Sequence, residues 1–416
     1  MVIFITITVI TTIVDRLETD IANKAKKYLL IYGRRKVGKT FLVKNFLNFD
    51  IYILIKKGGG MYIEGGPIKH LDSYQQFTEF CSTWLSENKT LAIDEFQRLP
   101  MEFLEFLQVQ YPKGRVILTG SSFHIIKDII SPKSPILGLC SDLKLSLISP
   151  LDIFKGLTKK LDPIKAFELS PYFSDPWVIS YFSKNENHIE DILLLSKGAV
   201  NALIGEVFLE EEKKLSQVYE GIIRSLALGK WKLGRMADLL YSRQVLKKPD
   251  QHLVKPYLKN MEAMDLVKRI PIFNKNEFRY MIKSPIMDLS FILDEKYNFF
   301  QQNISKKTLT QEVLSMMPKH IERFTGELFA QIYDGTYEYF YSRDFDIDFI
   351  ITRRKKVLAV GEVKWAKPVK NDINKFIDRT EHIPGDKIFF SKTEIKDERI
   401  ISLTPNNLIS WYTRNL

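Results

Sequence analysis

The chain has 416 residues, 45% of them apolar and 12% aromatic, and a formal net charge of +11. That length exceeds what one ordinary core can organise and predicts two or three domains, while the apolar share excludes a disordered or collagen-like chain. Cys81 and Cys140, the only two cysteines, exclude a disulfide framework and a cysteine metal cluster and predict a reducing, cytoplasmic setting.

The positive charge is spread along the chain, which makes a polyanion, nucleic acid first, the partner to consider. Met1 to Ile10 is apolar but lacks a basic leader and is shorter than the ~18–20 residues of a membrane span. Its Ile/Thr alternation over Ile5 to Val9 fits a short strand. A helical stretch follows from Asp15 to about Lys27, and no other segment reads as able to cross a bilayer. Leu29 to Tyr32 is then an apolar strand running into Gly33-Arg34-Arg35-Lys36-Val37-Gly38-Lys39-Thr40, the pattern G-x-x-x-x-G-K-T, with a helix-competent Phe41 to Leu47 behind it. Glycines let successive N–H groups wrap a phosphate without a Cβ in the way, and one lysine reaches the β/γ oxygens. Thr40 would place its hydroxyl on Mg²⁺. The nucleotide-binding candidates are Gly33, Arg34, Arg35, Gly38, Lys39 and Thr40, joined by Ser121 from a later strand, and the nucleotide they predict is ATP.

Asp50 to Ile55 reads as a strand. The glycine-rich Lys56 to Pro67 has no frame for a second phosphate loop and reads as a flexible loop. Ser73 to Leu85 has helical spacing that puts Phe77, Phe80, Trp84 and Leu85 toward a core. Thr90-Leu-Ala-Ile-Asp94-Glu95 is a strand ending in two acids: Asp94 to complete the Mg²⁺ shell, Glu95 to orient or deprotonate the attacking water. Arg115 to Thr119 is a further strand whose exit, Gly120-Ser121-Ser122, faces the same crevice, so Thr119 or Ser121 could sense the γ-phosphate.

With Val14-Asp-Arg16, Tyr32 to Thr40, Ala92-Ile-Asp-Glu95 and Ile117 to Ser122 in place, the chain resembles the predominantly archaeal ATPase family of the AAA+/STAND group of P-loop NTPases. The resemblance implies an arginine after a tyrosine-glycine pair, where this chain has Gly138-Leu139; Leu139 leaves the transition-state arginine missing, which implies either slow turnover or another source of positive charge. It also implies a helical lid from about Asp162 to Glu212, with Gly198-Ala-Val200 where a Gly-x-Pro turn is expected. Beyond it, helices at Leu215 to Leu228, Gly234 to Tyr241 and Gln251 to Met264 precede strands at Leu266 to Phe273 and Glu277 to Lys283. That is the order of a winged helix, with Lys255, Lys259, Lys268 and Arg269 suited to a nucleic-acid backbone.

The C-terminal third alternates acids with apolar residues in Asp344-Phe-Asp346-Ile-Asp348, turns at Thr352 to Lys356, and returns through Val357 to Trp365. Glu362 and Lys364 share one strand face, and a hairpin centred between Arg354 and Lys355 brings Asp348 within one residue of the position opposite Glu362. Two carboxylates and a lysine then converge: Asp348 and Glu362 to hold Mg²⁺ or Mn²⁺, Lys364 to steady the attacking water or the phosphorane charge. This resembles the PD-(D/E)xK nuclease pattern over about 310 to 400. That pattern implies a helix glutamate at the position of Ala330, for which Glu327 could substitute.

The fold expected is α/β: a P-loop NTPase parallel-sheet core (13–155), a helical lid (156–212), a winged-helix domain (213–290) and a C-terminal α/β restriction-endonuclease-like domain (305–405). Two functions compete, an ATP-dependent DNA-processing enzyme with a metal-dependent nuclease domain, and an ATP-operated switch or DNA-binding regulator that does not cut. DNA is the macromolecular partner expected of both, with no membrane; subunit assembly is open.

Overall fold

The computed structural model describes residues 14–25, 28–121, 129, 131–182, 188–210, 216–366 and 368–415; the strand expected at Ile5 to Val9 and the serine Ser122 lie outside the described residues. In chain order the first half contains α1 (Leu17–Lys24), β1 (Tyr28–Tyr32), α2 (Lys39–Phe46), β2 (Ile51–Ile55), β3 (Met61–Glu64), β4 (His70–Leu71), α3 (Tyr74–Ser86), β5 (Thr90–Asp94), α4 (Glu102–Gln110), β6 (Arg115–Gly120) and β7 (Cys140–Lys144). The strands form one sheet in the order β4-β3-β2-β5-β6-β1-β7. β2, β5, β6, β1 and β7 run parallel, and β3 and β4 add an antiparallel edge. Every residue of β1 is buried, as a parallel strand covered on both faces requires.

One expectation needs correction here, and one strand was not anticipated. The glycine-rich stretch 56–67 is not a loop throughout, because Met61 and Ile63 turn inward while Tyr62 and Glu64 turn outward in β3. β7 has only one buried residue, Leu143, so its Cys-Ser-Asp-Leu-Lys composition hides a strand whose pairing with β1 is long-range.

The second half contains α5 (Pro150–Thr158), α6 (Pro163–Phe173), α7 (Ile189–Glu210), α8 (Gln217–Ala227), α9 (Leu233–Ser242), α10 (Gln251–Ala263), β8 (Val267–Pro271), β9 (Phe278–Ile282), α11 (Pro285–Tyr297) and α12 (Lys306–Ile332). It ends with β10 (Thr336–Tyr341), β11 (Asp346–Arg353), β12 (Lys356–Lys364), α13 (Lys370–Thr380), β13 (Asp386–Ser391), β14 (Ile401–Leu403) and α14 (Pro405–Asn415). Helix starts are written locally: Ser149, Asp162 and Ser284 each accept a backbone N–H three residues on, and each is followed by a proline at the first helical position.

Helices α8, α9 and α10 pack on one another and on the hairpin β8–β9. β10 to β14 form a second sheet in sequence order, antiparallel from β10 to β12 and parallel from β12 to β14. The β11–β12 turn uses Arg354 and Lys355, both left-handed at φ 50° and 67°, the mirror-turn geometry that suits the strands' twist. Gly361 on β12 is obligatory for packing, since a Cβ there would lie 1.9 Å from the Phe349 ring.

One apolar core runs continuously from α5–α7 through the three-helix and hairpin unit into the C-terminal sheet. Phe167 of α6 is its junction, with ring centroids 5.3 Å from Phe324, 5.5 Å from Trp365 and 4.7 Å from Phe390. Separate apolar clusters fill the two faces of the N-terminal sheet. The expectation that no segment beyond the N-terminus could cross a bilayer also changes: Ile189–Leu209 is long and apolar enough by length and composition. In the fold, Leu193, Val200, Leu203, Val207 and Phe208 of that helix are buried in the shared core, while Leu195 and Leu209 are exposed.

Candidate functional site

The phosphate loop leaves β1 at Gly33, where the strand crosses close to the chain beyond β7: a Cβ on Gly33 would lie 2.1 Å from the Leu145 carbonyl oxygen. Gly38 caps α2 with a left-handed φ of 91°, a conformation that glycine adopts without a Cβ penalty. Lys39, the first residue of α2, is buried, and its Nζ donates to the carbonyls of Gly33 at 2.9 Å and Arg34 at 3.1 Å. Arg16 braces the loop from α1's N-terminus, donating to the Val37 carbonyl at 3.1 Å and the Ser146 carbonyl at 3.2 Å.

Sheet order brings the acids to this loop. β6 lies between β1 and β5, with Thr119 registered against both Ile31 and Asp94. Asp94 is buried and receives four donors: Thr40 Oγ1 at 2.7 Å, the Tyr52 hydroxyl at 2.6 Å, the Thr119 hydroxyl, and the Glu95 backbone N–H at 3.0 Å. Burial, reinforced by Asp94, pushes the Tyr52 hydroxyl's pKa far up, so it stays a donor. Glu95 sits in a left-handed turn at φ 59°. Its Oε2 is held by Gln97 at 2.8 Å, Arg98 at 3.0 Å and Ser121 at 3.2 Å. The two hydroxyls read as alternative γ-phosphate sensors therefore divide their contacts: Thr119 binds Asp94, and Ser121 binds Glu95.

A cavity of about 670 Å³ opens beside this group. Lys39, Thr40 and Glu95 line one side, Arg16, Arg35 and Lys36 add positive charge, and Val14, Ile148, Pro176 and Trp177 supply apolar wall. Size and mixed lining fit a nucleotide. Thr40 and Asp94 are the oxygen donors that fit Mg²⁺, a hard cation that binds through few protein ligands plus phosphate. Arg34 is a correction: its guanidinium does not line the cavity but is buried against Asp175, 2.7 Å away, with side-chain exposures of 2% and 0%. Arg35 lines the cavity and meets Glu206 of α7 at 2.9 Å. Leu139 packs against the sheet core, and the cations at the cavity are Arg16, Arg35, Lys36 and Lys39 instead.

In the C-terminal sheet Phe349 is registered against Gly361, so one step further sets Asp348 opposite Glu362. Asp348 Oδ2 accepts the Val363 N–H at 2.7 Å, and Lys364 Nζ meets Glu362 Oε1 at 2.9 Å. Glu327 does not join them. It is tied to Lys268 at 3.0 Å and Arg323 at 3.1 Å, and although burial alone would raise its pKa, these two cations hold it down at about 2. The helix acid facing the cluster is Glu322, whose pKa is pushed up to about 7 by burial and by the charges of Asp346 and Glu362. Burial together with Glu322 and Glu362 likewise raises Asp348 well above the usual carboxylate range. That crowding of negative charge is what a divalent cation between Asp348 and Glu362 would relieve. Among the described residues, however, no three His, Cys, Asp or Glu side chains converge closely enough to form a metal cluster.

Sequence reasoning missed Glu322, although it lies one and two turns before Gly326 and Ala330 on the same α12 stripe. It also missed Asp175, for which no local signal exists, since its partner is 141 residues away. Lys268 and Arg269, expected to face a nucleic-acid backbone, are engaged by Glu327 and by Glu262 at 3.1 Å; Lys255 and Lys259 are exposed on α10.

Residues 25–135, which hold the phosphate loop and the strand that ends in Asp94, match a family described as an AAA domain. An uncharacterized protein, MJECL04 of Methanocaldococcus jannaschii, is 25% identical over 299 residues; the match covers 64% of this chain and 63% of that protein, less than two thirds of its length. Among solved structures, the Aeropyrum pernix ORC2 protein in its ADPNP-ADP complexes aligns at TM-score 0.37 and 13% identity, covering 72% of this chain and 92% of that one. The Aeropyrum pernix ORC1 protein in complex with DNA aligns at TM-score 0.32 and 11% identity, covering 66% and 88%, and Cdc6p from Pyrobaculum aerophilum at 0.29 and 13%, covering 73% and 93%.

Proposed function

We propose that this chain is an ATP-dependent nucleic-acid enzyme, in which ATP binding and hydrolysis at the N-terminal cavity set the position of a helical lid and, through it, of a metal-dependent phosphodiesterase centre in the C-terminal sheet. The observation that carries the reading is the meeting of Thr40 with Asp94 beside the buried Lys39, on the wall of a cavity closed from the other side by Pro176 and Trp177.

Lys39 holds the loop in shape through two loop carbonyls, and phosphate oxygens would take over those bonds. Mg²⁺, when bound, neutralises charge on the phosphates, and Thr40 and Asp94 are the residues that would hold it. Glu95 takes the proton of the attacking water or orients it, and Ser121, Gln97 and Arg98 fix its carboxylate. Arg16 and Arg35 offer the positive charge that Leu139 does not. Movement at Pro176 and Trp177 passes to the C-terminal sheet because α6 shares its core.

At the second centre Asp348 and Glu362 would hold Mg²⁺ or Mn²⁺, Lys364 would steady the developing phosphorane charge, and Glu322 would supply the acid that Ala330 lacks. α8, α9, α10 and the β8–β9 hairpin read as a winged helix whose Lys255 and Lys259 can meet duplex phosphates.

A second reading, a switch with slow hydrolysis and a binding rather than cutting C-terminal domain, is favoured by the three donors that restrain Glu95 and by the ion pair of Lys364 with Glu362. Incubation of the purified chain with linear, branched and supercoiled DNA, with Mg²⁺ or Mn²⁺ and with or without ATP, separates the two. Cleavage that is abolished in Asp348→Ala and Lys364→Ala supports the enzyme. Cleavage that survives both changes together refutes the centre, and ATP binding undiminished in Lys39→Ala refutes the loop.

A further inference from the structure

A cavity of about 440 Å³ lies between the α8–α9 turn and β10. It is separate from the ATP site. Its lining combines Lys230, Trp231, Lys232 and Arg235 with Tyr339 and Tyr341, and it contains no carboxylate. Gly229 and Trp231 also line a smaller cavity of about 140 Å³ that reaches Arg279, Lys319 and Glu322. Gly229 and Trp231 are thus a common wall between the basic and aromatic groove and the cavity that holds the helix acid of the carboxylate cluster.

The rings and cations are interleaved rather than segregated. Trp231 meets Tyr341 edge to face, with centroids 5.4 Å apart at 74°. Lys232 lies 4.5 Å and Lys275 3.9 Å from the centroid of Tyr341, and Arg279 lies 4.1 Å from that of Tyr339. The same strand ties the groove to the cluster: the Tyr339 hydroxyl donates to Asp346 at 2.9 Å, and the Tyr337 hydroxyl donates to the Asp348 carbonyl at 3.1 Å.

We infer that this groove binds an unpaired strand of nucleic acid and leads its backbone to the carboxylate cluster. Trp231 and Tyr341, both partly exposed, offer stacking to bases of any sequence, Tyr339 is buried behind them, and interleaved cations track the phosphates. The rings lie inside a concavity, where bases reach them only when they are not stacked in a duplex. Lys255 and Lys259 on α10 are not among the residues lining it, so duplex and single-strand contacts fall on different surfaces. The strand-binding part stands on the groove alone; the delivery part rests on the phosphodiesterase reading above.

The test uses the full chain and fluorescence anisotropy with a labelled oligothymidine of about 20 nucleotides, a duplex of the same length, and polyglutamate as competitor. Lys232 and Arg235 are exposed. Lys232→Glu with Arg235→Glu should weaken strand binding at least tenfold and reduce the slope of log affinity against log salt by about 1.4, the loss of two single-strand phosphate contacts. Trp231→Leu should weaken it about fivefold to a hundredfold with the slope unchanged. Thermal unfolding at the wild-type midpoint establishes that each variant is folded.

Unchanged strand affinity in the charge-reversed variant overturns the groove, as do equal displacement by polyglutamate and a duplex that competes for the same residues. The two readings fail separately. A wild-type chain that binds the strand through Trp231 and Lys232 but never cuts it upholds the groove and ends the phosphodiesterase reading. A chain that cuts single strands at the same rate with the groove reversed ends the groove and leaves the phosphodiesterase reading in place.

Discussion

Replacing Asp175 with alanine tests how the phosphate loop is held. The carboxylate lies 2.7 Å from the Arg34 guanidinium, and both side chains are almost wholly withdrawn from water. Without Asp175 the guanidinium retains a 3.3 Å contact with the Arg35 carbonyl, too little to replace the lost hydration. Stranding one member of a buried ion pair costs about 3–5 kcal/mol. The lower end applies, because Asp175 Oδ1 is itself buried without a hydrogen-bond partner and part of the pair's value is already spent on that group. The turn should survive, since the Asp175 backbone carbonyl still accepts the Val178 N–H at 2.9 Å. Asp175→Ala should therefore lower the stability of the N-terminal sheet by about 3 kcal/mol in urea denaturation followed by tryptophan fluorescence. Arg34→Met combined with Asp175→Leu should recover most of the loss, because it removes both charges together. A single-mutant cost below about 1 kcal/mol, or a double mutant no more stable than the single, would refute the argument.

Glu327→Gln should behave as a stability mutant. The Glu327 carboxylate titrates at about 2 in the folded chain against an ordinary 4.5. Its contribution is therefore fully present above about pH 4.5 and is lost as pH falls through about 2, so the mutant should be about 3 kcal/mol less stable at pH 7 and converge with wild type near pH 2. Glu322→Gln should instead lower DNA cleavage; equal cleavage in a folded Glu322→Gln chain would remove this acid from the centre. Glu95→Gln should reduce ATP hydrolysis about 100- to 10,000-fold while equilibrium binding of ATP persists, measured by phosphate release and by filter binding. Gly361→Ala should cost about 1–3 kcal/mol or more through overpacking against Phe349, read as an earlier unfolding transition of the C-terminal sheet.

What was legible in the chain was local. The phosphate loop announces itself because glycine spacing, Lys39 and Thr40 act within one turn of chain, and the acid pair follows because strand ends in a parallel sheet converge. The two-residue turn made the Asp348–Glu362 pairing readable to within one residue, and a bulge between Ile351 and Thr352, which no sequence signal marked, supplies the last step of register. Contacts that join distant segments were not. Arg34 looked like a phosphate ligand by position, yet its partner Asp175 belongs to a turn after α6 that has no pattern of its own. Glu327 looked like the substitute acid by proximity to Ala330, but Lys268 from another unit claims it. β3 and β7 were hidden by glycines on one side and by polar edge residues on the other, where pairing rather than composition makes the strand.

The aromatic junction at Phe167 gives the molecule a mechanical character. Its ring is wedged between Trp365 and Phe390 of the C-terminal sheet and Phe324 of α12, so α6 has no freedom to turn without them. On the proposed function, a rotation at Pro176 and Trp177 would carry the second sheet with it, and a pair of fluorophores on α2 and α13 should then report a distance that steps with the nucleotide.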